Sequence, residues 1–267
     1  MTKLIAEIGW NHMGDMSLAK RMVEAAASSG AHVAKFQTWK VERLKNGEWD
    51  NDGRRQIYEK AELTHDKHVE LIEFCRQLNI SFMSSVFSKP DAQMLEDLGV
   101  KGVKIPSFEC ANNDLIEFAL DKFETVIVST GTATKLEIEK LKNYTSHPDF
   151  HVMHCVSSYP CDISRINLPR IAFLKQHFQN VGFSDHTSDS KASQMSLQFS
   201  PSYIEKHFTV DHNLPGRDNK FAVLPEEFKS LYEFILLRNQ AMTDHGIDFQ
   251  DSEQSSRDFY RGRFNAS

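Results

Sequence analysis

A (β/α)8 barrel is the fold this sequence predicts. Eight short β-rich runs recur along the chain, stretches with helical spacing of apolar residues separate them, and the alternation fills about 250 residues, the size of one such barrel. Strands that alternate with helices pair in parallel through right-handed crossovers. A doubly wound open sheet is the rival. It uses fewer strands, and here the first strand leads into GWNHMGD (9–15), which lacks the G-x-G-x-x-G spacing of a dinucleotide site.

The elements follow in order. KLIAEIGW (3–10) reads as the first strand, and Asp15 caps a helix that Gly30 stops. HVAKFQTW (32–39) is the second strand. The connection after it, residues 40–64, runs to about 25 polar residues where 2 to 6 are usual, which marks a lid or binding element. Thr64 caps the next helix, and ISFMSSVF (80–87) is the third strand. A helix ending at Gly99 leads to GVKIPSF (102–108) and then TVIVSTG (125–131), after which Thr132 is the expected cap. FHVMHCVS (150–157), NVGFSD (180–185) and SYIEKHFT (202–209) complete the ring, and LPEEFKSLYEFILLRNQAM (224–242) supplies a further helix. Residues 1–241 form the expected barrel, with 242–267 a polar arm outside it.

The 267 residues carry a net charge of −6 with scattered basic residues, which gives no electrostatic footprint for nucleic acid or an anionic membrane. No run approaches the roughly 18 apolar residues of a membrane helix, and the N-terminus turns polar too soon for a signal peptide, so a cytoplasmic protein is expected. Cys75, Cys110, Cys155 and Cys161 are too few and too irregular for a disulfide framework or zinc knuckle, and read as buried thiols.

In a barrel the C-terminal strand ends form the active-site rim. Here they deliver Glu7, Asn11 and His12, then Lys35 and Gln37, Ser84 and Ser85, and Lys104, Ser107 and Glu109. Ser129 and Thr130 follow, then His154, Ser157 and Tyr159, Ser184, Asp185 and His186, and Glu205 and His207. Two lysines inside strands are the least ordinary feature, because an unpaired buried ammonium costs several kcal/mol. Lys35 and Lys104 therefore need anions. Either inward carboxylates such as Glu7 or Glu205 supply them, or one lysine snorkels to the helix layer, or a ligand bearing phosphate or carboxylate does, helped by Ser107, Ser129 and Ser184.

Side chains alternate along a strand, so Ser184 and His186 share a face, as do Glu205 and His207. Neighbouring strands lie about 4.8 Å apart, which lets both histidines reach one divalent ion and leaves other positions for water and substrate. The plainer alternative is hydrogen bonding to a neighbour such as Asp185. His12 is either a third ligand or a loop support. Cys155 and His154 point to opposite faces and do not make a catalytic pair.

IAEIGWNHMGD, VAKFQTWK, KIPSFE, VIVSTGTAT, HCVSSYP, GFSDHT and IEKHFTVDHNLPGRD, spread in order over residues 5–218, resemble the N-acetylneuraminate (sialic acid) synthase family. The resemblance implies condensation of phosphoenolpyruvate with an N-acetylmannosamine-like open-chain aldehyde and water, giving a nonulosonic acid and phosphate by C–O cleavage. By position it assigns phosphoenolpyruvate contacts to Lys35, Ser85, Lys104, Ser107, Ser129, Ser157 and Ser184, with Ser85 standing where threonine is usual and Ser157 where some members carry asparagine. It makes His186 and His207 the manganese or magnesium ligands, puts Glu7, Tyr159, Glu205 and Asp218 around the sugar, and makes Glu109 a candidate acid/base.

Family members continue into an antifreeze-like domain that, in a swapped dimer, delivers an arginine to the partner's sugar. Here the sequence reaches a segment similar to the connecting arm, and either that arm supplies a substitute, Arg261 or Arg263, or the sugar lacks the usual N-acyl recognition; a homodimer is compatible with this. Three rivals stand beside this reading. The first is a related synthase using a phosphorylated sugar, with Arg43, Lys45, Arg54 and Arg55 of the long loop forming a phosphate pocket. The second is a metal-dependent hydrolase, and the third a sugar-binding relative without activity.

Overall fold

The computed structural model describes residues 2–264. Among them, strands β1 (Lys3–Gly9), β2 (Val33–Thr38), β3 (Ser81–Val86), β4 (Gly102–Ile105), β5 (Thr125–Ser129), β6 (Phe150–His154), β7 (Asn180–Asp185) and β8 (Tyr203–His207) close a barrel in chain order. Every neighbouring pair is parallel, including β1 with β8. The (β/α)8 expectation is met, strand for strand.

The α-helices among the described residues are α1 (Met16–Ser28), α2 (Arg54–Ala61), α3 (His65–Gln77), α4 (Lys89–Asp97), α5 (Asn113–Lys122), α6 (Lys135–Lys140), α7 (Pro169–Lys175), α8 (Lys191–Ser196), α9 (Pro225–Ala241) and α10 (Gln254–Tyr260), with short 3-10 turns between some of them. Their starts follow local chemistry: the Asp15 and Thr64 side chains accept from Leu18 N and Lys67 N, as expected of caps. The cap expected at Thr132 lies two residues later. Thr134 and Glu137 form a reciprocal capping box, while the Thr132 hydroxyl donates to the Ser107 carbonyl at 3.0 Å. Gly30 follows α1 at φ +86°, where a Cβ would lie 2.3 Å from the Tyr232 ring, so conformation and space both require glycine.

Two clusters of buried apolar residues fill the layer between strands and helices; one gathers around β3 to β7 and the other around β1, β2 and β8. A third, Ile5, Val33, Met83, Ile127, Met153 and Tyr203, comes from inward strand positions. The chain divides into two compact units, Met1–Ile235 and Leu236–Ser267. The first contains the barrel. The second contains α10, with the Arg257 guanidinium 4.5 Å from the Phe249 ring centroid and that of Arg263 5.6 Å from Tyr260. No helix among the described residues is long and apolar enough to cross a membrane.

Candidate active site

Inward and outward side chains alternate along each strand, so one step toward the C-terminal ends takes the barrel interior from apolar to charged. Above Ile5, Val33, Met83, Ile127, Met153 and Tyr203, the same strands turn Glu7, Lys35, Ser85, Ser129, Cys155 and Glu205 inward, joined by Lys104 and Ser184. These side chains line a cavity of about 760 Å³, within the range of small-molecule sites.

Four charged side chains form its base. Lys35 Nζ lies 2.5 Å from Glu7 Oε2, 3.5 Å from Glu205 Oε2 and 2.9 Å from Ser85 Oγ. Lys104 Nζ lies 2.5 Å from Glu205 Oε1, which also accepts from Ser184 Oγ at 2.8 Å, and Gln37 Nε2 donates to Glu7 Oε1 at 2.7 Å. The anions that the strand lysines require are thus Glu7 and Glu205. Burial pushes the Glu205 carboxyl up, but Lys104, Lys35 and the Ser184 hydroxyl together overcome it and hold the group below the usual carboxylate range. At Glu7 burial prevails over Lys35 and raises the carboxyl. Burial opposes the charge on Lys35, yet Glu205 and Glu7 outweigh it and raise the ammonium.

A hydroxyl ring surrounds this base. Ser107 Oγ accepts from Gly131 N at 3.0 Å and contacts Cys155 Sγ at 3.1 Å, and Ser129 Oγ and Ser157 Oγ are buried without a hydrogen-bond partner. Buried polar atoms are rarely left so, and both residues line the cavity, where their hydroxyls are open to a ligand. Gly131 makes the ring possible. A Cβ there would fall 2.4 Å from Ser157 Oγ, 2.7 Å from Cys155 Sγ and 2.8 Å from Ser107 Oγ.

His186 and His207 share the cavity, with ring centroids 5.5 Å apart. The Nδ1–H of His186 donates to the Val156 carbonyl at 2.7 Å, which leaves the Nε2 lone pair facing Ser184 Oγ at 3.1 Å. His207 Nδ1 is buried without a hydrogen-bond partner and stands 3.5 Å from Asp218 Oδ2. Burial lowers His186 to about 4 and His207 well below its ordinary value. Both rings are therefore neutral at physiological pH, the form that binds metals. Among the described residues no group of three or more His, Cys, Asp or Glu gathers at metal-holding spacing. The donor set fits a divalent cation held by two imidazoles, with its other positions left to water and substrate. Burial also raises the Asp218 carboxyl to about 6.

The Tyr159 ring lies tilted against His186, with centroids 4.2 Å apart, and lines the cavity with Asp218. Glu109 stands apart from it. The 3-10 turn Ser107–Glu109 directs that carboxylate to the start of α5, where it accepts from Asn112 Nδ2 at 2.8 Å, and the side chain is not part of the lining. His12 accepts from Gly14 N through Nδ1 and supports its loop, away from the lining. His154 donates to the Ile166 carbonyl and stacks on Phe183, on the face opposite Cys155.

Sequence reasoning missed the aromatic wall. Trp10, Trp39, Trp49, Tyr58, Phe87, Phe108 and Phe221 line the cavity, and every tryptophan of the chain is among them. The signal was available as three tryptophans confined to residues 10–49, at strand ends and in the long loop. That loop does cover the site, but its arginines are engaged: Arg43 with Asp91, Arg54 with Asp52, and Arg55 with Asp50 and Glu59. Arg217 and Lys220, also missed, line the cavity without an ion pair among the described residues.

Known proteins resemble this chain in sequence and in fold. A model of the NeuB family matches residues 22–246. The chain is 34% identical to N,N'-diacetyllegionaminic acid synthase of Campylobacter jejuni, over 97% of its own length and 83% of the relative's. It is 36% identical to the synthase of the same name from Legionella pneumophila, over 87% of this chain and 70% of that protein. Among solved structures, the N-acetylneuraminic acid (sialic acid) synthetase of Leptospira borgpetersenii, crystallised with citrate, superposes with a TM-score of 0.86 at 32% identity, covering 100% of this chain and 93% of the other.

Proposed function

The chain belongs to the NeuB family, and from that premise we propose that it condenses phosphoenolpyruvate with the open-chain aldehyde of an N-acylated amino sugar and water, yielding a nonulosonic acid and inorganic phosphate. One observation carries the reading. A single cavity gathers the Lys35 and Lys104 ammonium groups, the hydroxyls of Ser85, Ser107, Ser129, Ser157 and Ser184, and two neutral imidazoles, which matches an anion bearing phosphate and carboxylate beside a carbonyl.

In this reading Lys35 and Lys104 hold the phosphate and carboxylate, with Ser85, Ser107, Ser129, Ser157 and Ser184 supplying hydrogen bonds that fix the enol double bond against the aldehyde. C3 of the enol phosphate attacks the aldehyde carbon and a C–C bond forms. Positive charge develops at C2, beside the carboxylates of Glu7 and Glu205. Water adds at C2, and the C–O bond to phosphorus oxygen breaks to leave a ketone. One proton of that water ends on the new alcohol and the other on the departing phosphate. Glu7, raised by burial and facing the cavity, is the carboxyl suited to pass a proton. Tyr159 and Asp218 line the sugar side. His186 and His207 would hold the divalent cation, Mn²⁺ or Mg²⁺, whose Lewis acidity polarises the aldehyde oxygen. A catalytic barrel over 1–241 and a polar arm over 242–267 belong to the same proposal.

The test is phosphate release from phosphoenolpyruvate with a panel of amino sugars and added Mn²⁺. Turnover that needs an acceptor, is lost in chelator and is absent in His207→Ala supports the reading; turnover retained in chelated buffer refutes it. One observation favours a second acceptor class. Lys220, with no ion pair among the described residues, and Arg217, whose charge acts on the neighbouring Asp218, line the cavity and suit a terminal phosphate on the sugar. Acceptors with and without that phosphate separate the two.

A further inference from the structure

On the outer face of β7 and β8, behind the cavity, lies a second buried ion pair. Asp185 and Lys206 face one another across the ladder and are each 1% exposed. Lys206 Nζ reaches Asp185 Oδ2 at 3.2 Å, Thr187 Oγ1 at 3.2 Å and the Thr187 carbonyl. Asp185 Oδ1 accepts from Thr187 N at 2.9 Å and Thr187 Oγ1 at 2.8 Å, and its Oδ2 accepts from Ser193 Oγ of α8 at 2.6 Å.

A buried pair of this kind gives little net stability, because desolvation of both charges offsets their attraction, and an apolar pair of similar volume is often as good. Its position in sequence gives it another use. Asp185 precedes His186, Thr187 follows it, and Lys206 precedes His207. The residues on both sides of one imidazole are thereby tied to the residue beside the other. Main-chain bonds complete the frame: Cys161 N donates to the His186 carbonyl and Val223 N to that of His207, each at 2.8 Å.

We propose that Asp185 and Lys206 are positioning residues that set the spacing of His186 and His207 for a divalent cation. This rests on the reading of those histidines as its ligands. Groups that hydrogen-bond a ligand's ring directly govern metal affinity by about 10- to 100-fold, and this pair, acting through the main chain, belongs at the low end of that range.

The test uses the full chain and Mn²⁺ alone, its free concentration read by electron paramagnetic resonance, with phosphoenolpyruvate titrated separately. Asp185→Asn with Lys206→Met removes both charges together and avoids stranding either one. Folded protein with Mn²⁺ affinity about tenfold or more weaker, and phosphoenolpyruvate affinity within about twofold of the parent, is expected. Should the double variant not fold, Thr187→Val cuts one leg of the clamp and is expected to weaken Mn²⁺ about threefold. Parent-like Mn²⁺ affinity in a folded variant overturns the positioning role alone. A parent protein that binds phosphoenolpyruvate but no Mn²⁺ overturns both that role and the assignment of the histidines.

Discussion

Gly131→Ala isolates the hydroxyl ring from the fold. The glycine does not occupy a left-handed conformation, so alanine brings no backbone strain, and the added methyl meets three side chains, Ser157 Oγ at 2.4 Å, Cys155 Sγ at 2.7 Å and Ser107 Oγ at 2.8 Å. No real Cβ tolerates such contacts, so the hydroxyls must move. Overpacking of this size costs about 1–3 kcal/mol of stability. Displacing two hydroxyls that hydrogen-bond a charged ligand removes about 1.5–3 kcal/mol each, at most about 6 kcal/mol together. With partial rearrangement a loss of about 3 kcal/mol is expected, or roughly 100-fold in phosphoenolpyruvate affinity. The assay is a calorimetric titration of phosphoenolpyruvate, accompanied by a melting curve. A variant that melts within a few degrees of the parent and binds phosphoenolpyruvate within threefold, about 0.7 kcal/mol, would refute the assignment of Ser107 and Ser157 to the anion.

Other outcomes follow from the same geometry. Lys35→Met strands Glu7 at 3% side-chain exposure, while Glu205 keeps Lys104, and about 3–5 kcal/mol of stability should be lost; adding Glu7→Gln should restore more than half, as read from urea midpoints. His154, lowered by burial to about 4 from 6.5, stays neutral in the native state while the unfolded chain protonates. Its contribution to stability is therefore complete above pH 6.5 and falls toward pH 4, by about 2 kcal/mol at pH 5; His154→Phe should flatten the slope of unfolding free energy against pH by about one proton, and an unchanged slope contradicts the assignment. Phe108, 67% exposed and stacked on Phe87 with centroids 5.6 Å apart, should tolerate serine within about 1 kcal/mol. The Phe108→Ser change should raise the acceptor KM several-fold and leave that of phosphoenolpyruvate unaltered, as steady-state kinetics would show.

The barrel was legible because a strand covered on both faces must be apolar at most positions, and runs such as TVIVS (125–129) satisfy that with no competing helical period. The polar inward positions were legible for the converse reason, since Lys35 and Lys104 interrupt such runs. Lys206 interrupts one as well, yet was passed over beside Glu205 and His207; strand alternation alone would have sent it to the outer face with Asp185. Glu109 is assigned by motif position, but a 3-10 turn after β4 sets its direction, and neither spacing nor residue type reveals such a turn. The aromatic wall eluded sequence reasoning because loop residues carry no periodicity. Only tertiary packing brings Trp49 and Tyr58 to within 5.7 Å of one another between ring centroids and places both over the barrel mouth.

Lys35 and Lys104 are matched inside the cavity by Glu7 and Glu205. A visiting anion consequently meets ammonium groups that are already engaged, and must compete with resident carboxylates for them. A small monoanion has too few contacts to win that exchange, whereas a molecule carrying two negatively charged groups can engage both lysines at once. In the proposed reaction the phosphate released by C–O cleavage would lack the second group, and the glutamates would reclaim their partners. Under that proposal, selectivity on entry and ready departure of the product would come from the same four side chains.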